Sequence, residues 1–259
     1  MRLGPERAQQ WERTLRAAGA IARHPAKAAG AAARAAASAA LDAEENVPVD
    51  PRFEQFWSDL WIPGWLDKAQ ASILYHLAVG GPGTGEVVEI GSYLGRSAAV
   101  LAAALRARGS GVLTAIDPHD GNRGLPGTED PNLSTYPLFQ HHLRQYQLED
   151  YVDGVVASSV EAARDWSRPV RLLYLDGLHT EDAVHADLAA WGPHMEDTGV
   201  MVIDDYDYFE GIARAVWSAL DEGLVAGGPH RVCNSVLLGR LPESLSRISR
   251  LVLPLPAKV

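Results

Sequence analysis

The chain has 259 residues, 47% of them hydrophobic and 22% charged, with a formal net charge of −10. That composition suits a soluble globular unit with a sizeable core, and the acidic balance argues against non-specific nucleic-acid binding by the chain as a whole. Cys233 is the only cysteine, which excludes an intrachain disulfide and a thiol-rich metal site, and no apolar run approaches the ~20 residues of a membrane span.

The charge is unevenly spread: residues 1–41 carry +5 and the remainder −15. Residues 1–45 are dominated by Ala and Arg, with strong helix propensity but few large apolar side chains. They are expected to form a helical arm, broken near His24-Pro25, that packs on the body, mediates self-association or covers a substrate. The Ala-rich stretch 28–40 is interrupted by Arg34 and makes a poor signal peptide, so a cytoplasmic protein is expected. Residues 46–85 read as a linker followed by a helical cap. Trp57, Trp61 and Trp65 recur at spacings of four, with Pro63-Gly64 interrupting any single helix through them. They are expected either to pack the cap, the commoner outcome, or to line a substrate entrance.

From Glu86 the pattern becomes regular. Short apolar runs at 86–91, 112–117, 152–156, 170–176 and 199–204 predict strands. Between and after them, Leu94/Ala98/Leu101/Leu105, Phe139/Leu143/Tyr146, Val184/Leu188/Trp191 and Ile212/Val216/Leu220 follow the spacing of one helix face. Segments 229–233 and 235–240 are candidate closing strands. Strand alternating with helix predicts a mostly parallel, seven-stranded α/β sheet covered on both faces across 86–240, with 241–259 as a tail.

Three segments carry chemistry. The first strand runs into Glu89-Ile90-Gly91-Ser92-Tyr93-Leu94-Gly95-Arg96-Ser97, a glycine-bearing turn that lets backbone approach a ligand at a helix N-terminus. Its G-x-x-x-G spacing differs from the dinucleotide fingerprint. The second strand ends in Asp117, where a carboxylate can accept hydrogen bonds from the hydroxyls of a ribose. The strands at 170–176 and 199–204 end in Asp176 and in Asp204-Asp205, with His179 three residues after the first acid. Like charges disfavour one another's ionised forms, so carboxylates gathered at one sheet end call for a cation. Oxygen donors without thiolates favour Mg²⁺, with Mn²⁺ or Ca²⁺ as alternatives.

The order Glu-Ile-Gly-Ser-x-x-Gly-x-Ser, Ile-Asp, Leu-Asp-Gly-x-His, Ile-Asp-Asp resembles class I S-adenosylmethionine-dependent methyltransferases. More narrowly it is similar to the metal-dependent sugar O-methyltransferases of the macrocin and mycinamicin type. The resemblance spans roughly residues 70–240; each motif alone is weak, and their order and spacing together are specific. It implies a Rossmann-like methyltransferase fold. It further implies that Glu89, Gly91 and Ser92 border the methionine part of the cofactor and that Asp117 holds its ribose. Ser159, in Ala157-Ser158-Ser159, would meet the adenine, and His119 and Asp176 would also lie against the cofactor. Asp176, Asp204 and Asp205 would bind the metal, and His179 would act as general base toward a sugar, glycosylated metabolite or polysaccharide hydroxyl. The family often carries Glu where Asp204 stands.

The loop from His119 to Tyr136 is long for an α/β connection, which suggests a lid over cofactor and acceptor. His141 and His142 are expected to be surface or packing residues. Two other readings stay open from the residues alone: a metal-dependent hydrolase or phosphotransferase using the acids, and a non-catalytic protein that keeps the cofactor fold. Expected partners are a small-molecule or oligosaccharide acceptor and, through the arm, a second copy of the chain.

Overall fold

In the computed structural model the described residues are 50–121, 134–241, 243, 250 and 251. The expected arm over 1–45, residues 122–133 of the expected lid, and nearly all of the tail lie outside them. Asp50 caps α1 (Pro51–Asp59) by accepting the Arg52 N–H, and Pro51 supplies the helix-compatible first position. Pro63-Gly64 then interrupts the chain, as expected, before α2 (Lys68–Gly80). This helix starts on a reciprocal capping box between Asp67 and Gln70.

The α/β alternation follows. Strands are β1 (Glu86–Ile90), β2 (Leu113–Ile116), β3 (Val152–Val155), β4 (Val170–Leu175), β5 (Met195–Ile203), β6 (His230–Val232) and β7 (Ser235–Gly239). Helices are α3 (Arg96–Arg108), α4 (Tyr136–Gln145), α5 (Ser159–Arg164), α6 (Glu181–Trp191) and α7 (Glu210–Asp221). The seven expected strands are joined by a two-residue β8 (Arg250–Leu251) at the β6 edge. Strand order is β3-β2-β1-β4-β5-β7-β6-β8, parallel from β3 to β5 and antiparallel from β5 through β7 and β6. β5 begins four residues earlier than the apolar run suggests. Val170 pairs with Met195 and Leu172 with Val200, so the polar residues before Gly199 are carried as an irregularity within the ladder.

Successive strand residues point to opposite faces, and both faces are covered. Val87, Leu113, Leu172, Tyr174, Val200 and Val202 join α1–α4 in one core. Val88, Ile116, Leu173, Leu175, Met201 and Ile203 join α5–α7 in the other. This two-sided burial is why β4, Val-Arg-Leu-Leu-Tyr-Leu, is buried at every position and shows no polar alternation. Among the described residues no helix is long and apolar enough to cross a membrane.

The one charged residue within β4 has a structural use. Arg171 is buried and donates from Nη1 to the Leu77 carbonyl (3.1 Å) and from Nη2 to that of Ala78 (2.7 Å). Arg108 adds a bond to Val79 O at 3.1 Å. Together they satisfy the C-terminal carbonyls that any helix leaves unpaired, here those of α2. Desolvation holds the Arg171 guanidinium down to about 10, still charged at neutral pH. Replacing Arg171 with Leu should leave those carbonyls short of donors and cost about 2–4 kcal/mol, whereas half-exposed Arg108→Leu should cost less than ~1 kcal/mol. Urea unfolding of the two variants followed by tryptophan fluorescence measures the difference.

Candidate active site

The parallel strands end level with one another. Ile90 is in register with both Ile116 and Leu175, and Leu175 with Ile203. The ladder continues one residue further: Gly91 N–H donates to Ile116 O, Asp176 N–H to Ile90 O, and Asp204 N–H to Leu175 O, at 2.9–3.0 Å. Gly91, Asp117, Asp176 and Asp204 therefore share the carboxyl edge of the sheet. The strand order reverses there between β1 and β4, which is where open α/β sheets bind ligands.

Backbone shape builds the β1–α3 side. Gly91 has φ +90, and a Cβ on it would lie 2.1 Å from the Asp176 carbonyl oxygen, so any larger residue would push the β1 and β4 loops apart. Tyr93 and His119 also adopt positive φ, 45° and 53°, rare for side chains of their size. Both turns point an N–H at Asp117: Tyr93 N–H donates to Oδ2 at 2.8 Å and His119 N–H to Oδ1 at 2.6 Å. The carboxylate is held rigidly with lone pairs to spare, as a diol-binding acid requires.

Beside it lie three buried polar groups without partners: both Glu89 carboxyl oxygens, the Ser92 hydroxyl and His119 Nε2. Ser92 and Ser97 lie near enough to Glu89 to ease its ionisation, yet neither meets hydrogen-bond geometry. Unpaired buried polar atoms are costly, and their gathering around a glycine turn fits a polar ligand bound there. Desolvation, first, and the charges of Asp176 and Asp117 push Glu89 up to about 8. His119 Nδ1 pairs with Thr135 Oγ1 at 2.7 Å and its ring packs between Tyr136 and Phe139; desolvation by this burial lowers the imidazole's pKa against the opposing charges of Asp117 and Asp120.

The acids form the other side. His179 Nε2 lies 3.5 Å from Asp176 Oδ1 and 3.6 Å from Asp205 Oδ2. Its ring stacks on Phe209 with centroids 4.8 Å apart and planes within 7°. Burial by itself would lower the imidazole, but the hydrogen bond to Asp176 and the charges of Asp176, Asp205 and Asp204 outweigh it and raise its pKa. Asp204 is turned the other way. Its Oδ1 accepts from Gln70 Nε2 (2.5 Å) and Ser235 Oγ (2.9 Å), and its Oδ2 from Tyr174 Oη (3.0 Å). Desolvation, with the neighbouring charge of Asp205, brings Asp204 up to about 6; desolvation and Asp204 do the same for Asp176.

The donor chemistry suits a hard cation, but the geometry is incomplete. Among the described residues, no group of three or more His, Cys, Asp or Glu side chains is disposed to hold a metal ion. The oxygens of Asp204 are already taken by Gln70, Ser235 and Tyr174, while Asp176 and Asp205 both approach His179 Nε2 and accept from Tyr174 and Asn234 respectively.

The remaining expected residues fall outside this cluster. Ser159 Oγ accepts from Trp191 Nε1 at 2.8 Å and bonds the buried Asp187, so its hydroxyl is committed to packing between α5 and α6. Trp57 stacks on Phe53 and lies under the Arg96 guanidinium, 4.7 Å from Arg96 Cζ. Trp61 is 72% exposed, and Trp65 stacks on Tyr93 with ring centroids 5.7 Å apart, above the glycine turn. His142 is buried on Leu94 O at 2.8 Å, a packing role, while His141 is exposed and His185 pairs with Glu222.

Five participants were missing from the sequence reading: Gln70, Tyr174, Asn234, Ser235 and Phe209. Gln70 also donates to Asn234 Oδ1, and Asn234 Nδ2 donates to Asp205 Oδ1 at 3.2 Å. A phenol two residues before Asp176, and so on the same side of the strand, was the available signal for Tyr174. Gln70 and Asn234 stand 164 positions apart, and no local pattern links them.

Comparison with known proteins agrees with this layout. A family model described as a methyltransferase domain matches residues 88–206, the span from β1 through the acid pair. Residues 88–206 thus match a methyltransferase domain, and the chain has the Rossmann-like methyltransferase fold. Its fold is shared with the O-methyltransferase NovP, at TM-score 0.58 and 15% identity over 67% of this chain and 80% of that one. It is also similar to CalS11, a TDP-rhamnose 3′-O-methyltransferase of calicheamicin biosynthesis, at TM-score 0.52 and 17% identity over 92% and 96% of the two chains. The S-adenosylhomocysteine-bound Podospora anserina methyltransferase PaMTH1 matches at TM-score 0.54 and 12% identity over 79% and 94%. The matched residues thus place the Gly91 turn and Asp117 just past β1 and β2, and the acids just past β4 and β5.

The buried Glu89 at the heart of this domain gives a pH signature. In the folded chain it keeps its proton up to about pH 8, while the unfolded chain releases it near the ordinary 4.5. The unfolded state therefore binds fewer protons across that window, and stability falls as pH rises through it, by on the order of 4 kcal/mol in all. Glu89→Gln, which cannot ionise, should lose much less stability between pH 5 and pH 8.5. Thermal melts of the ligand-free proteins across that range check the difference in slope.

Proposed function

We propose that this chain is an S-adenosylmethionine-dependent, Mg²⁺-dependent O-methyltransferase that modifies a hydroxyl of a sugar or glycosylated acceptor, with His179 as general base. The observation that carries the reading is the imidazole flanked by Asp176 and Asp205 at the same sheet edge as the Gly91 turn and Asp117. In this reading a methyl donor held by Glu89, Gly91, Ser92, Asp117 and His119 would present its reactive carbon toward this base. The sugar class rests on the earlier resemblance and on the likeness to CalS11. A hydrolase using the acids alone would leave the glycine turn and the rigidly held Asp117 without a purpose.

S-adenosylmethionine supplies an electrophilic sulfonium methyl and needs no activation by the protein. The protein's work is alignment and proton management. Asp117 and the Gly91 turn fix the donor, and His179 accepts the acceptor's hydroxyl proton as the oxygen attacks in line. Asp176 and Asp205 stabilise the imidazolium that results. The same two acids would hold Mg²⁺, which when bound acidifies and orients the acceptor hydroxyl. Asp204 would complete the set by exchanging a donor among Gln70, Ser235 and Tyr174. In this reading residues 86–240 carry catalysis, 46–85 form the cap, and 1–45 serve self-association.

Three measurements test the assignment. With TDP-sugars as a probe panel, His179→Ala should lower kcat by roughly 10²–10⁴-fold with cofactor affinity within about twofold of wild type. Asp117→Ala should do the reverse, weakening S-adenosylhomocysteine by about tenfold or more in calorimetry while leaving Mn²⁺ binding unchanged. Full turnover by chelator-treated wild-type enzyme would remove the metal from the mechanism.

A further inference from the structure

The residue that opens α7 breaks a local rule. A helix N-cap favours Ser, Thr, Asp or Asn, whose side-chain oxygen satisfies an otherwise unpaired N–H. Here the N-cap is Phe209, extended at φ −128°, ψ 107°, with no side-chain cap bond. It is also 38% exposed, so burial does not account for it. A large apolar ring at a partly exposed cap forgoes stability on two counts, and such departures gather where function requires them.

The contact it makes is specific. Phe209 lies parallel to the His179 imidazole, 4.8 Å between centroids and 7° between planes. The flanking acids cannot set that plane alone: Asp176 and Asp205 approach the same nitrogen, Nε2, at 3.5 and 3.6 Å, the outer limit of a hydrogen bond. Two long contacts to one atom leave the ring free to turn about the axis through it, and a stacked neighbour removes that freedom. Phe209 is tied to the same acid as well, since its N–H donates to the Asp205 carbonyl at 3.3 Å. Asp205 itself sits at φ 54°, which turns the chain sharply enough to bring residue 209 back over the site.

We infer that Phe209 is a positioning residue, which trades helix capping for fixing the plane of the His179 ring while its Nε2 faces the two acids. The inference rests on His179 acting as the base. Phe209→Ser installs a favoured cap and removes the stack; Phe209→Tyr keeps the stack. In NMR spectra of the ligand-free protein, the His179 ring protons should show a ring-current displacement in wild type and in Phe209→Tyr that disappears in Phe209→Ser. Phe209→Ser should keep a Tm at or above wild type yet lose about tenfold in kcat, with KM and S-adenosylhomocysteine affinity within about twofold. Phe209→Tyr should retain wild-type turnover, and Phe209→Ser should add no further loss in a His179→Ala background.

The proposal is overturned if the His179 signals do not move in Phe209→Ser, or if kcat is unchanged. It is equally overturned if kcat and Tm fall together without recovery in Phe209→Tyr, since that describes a packing residue, or if only KM rises, since that describes an acceptor contact. His179→Ala separates the two levels. If it keeps full turnover, the base assignment fails. If it is inactive while Phe209→Ser is not impaired, only the role of Phe209 fails.

Discussion

Asp204 is a carboxylate buried at the end of a central strand, and most of the arrangement around the site follows from its need for donors. An ionised group in such a place is tolerated only when its lone pairs are satisfied. The donors arrive from three elements far apart in sequence: Gln70 at the start of α2, Tyr174 in β4 and Ser235 at the start of β7. The antiparallel end of the sheet and the helical segment before β1 are both tied to β5 through this one side chain. Asn234 extends the tie to Asp205 by accepting from Gln70 and donating to the second acid.

Helix α2 is consequently fixed at both ends by polar contacts. Its first turn engages Asp204, and its last carbonyls engage Arg171 and Arg108. Arg171 and Tyr174 are the two polar side chains of β4, and each reaches α2 or the acid that α2 holds. The strand is thus more than core: its apolar positions fill both faces while its polar ones lock a helix over the sheet edge. A separate tie sets the Trp61–Trp65 segment: Arg96, at the start of α3, donates to the Ile62 and Leu66 carbonyls, and Trp65 stacks on Tyr93 above the glycine turn.

Much of this was legible in the chain. The strand and helix order, the closing pair of strands and the level acids at the sheet edge follow from apolar runs punctuated by Gly and Asp. Such runs report burial directly, and the parallel ladder then aligns their ends. The early start of β5 was hidden because Glu196, Asp197 and Thr198 are polar and look like a turn. The aromatic trio was expected in a core or at an entrance, and the three rings found different settings because α1 ends at Asp59, between Trp57 and Trp61, and Pro63-Gly64 separates Trp61 from Trp65. Ser159 matches a cofactor-facing stretch in sequence, yet its hydroxyl serves Trp191, a partner 32 positions away that only packing brings near.

The sequence by itself determined the fold class, the Gly91 turn, and the set of acids with His179, because each of these depends on residue type and short-range spacing. Tertiary structure decided how those acids are used. Whether a carboxylate is open to a ligand or closed by donors depends on which side chains arrive from elsewhere, and Gln70, Asn234 and Phe209 arrive from separate segments of the chain. It is their arrival that turns Asp204 inward, leaves Asp176 and Asp205 flanking His179, and fixes the plane of that ring.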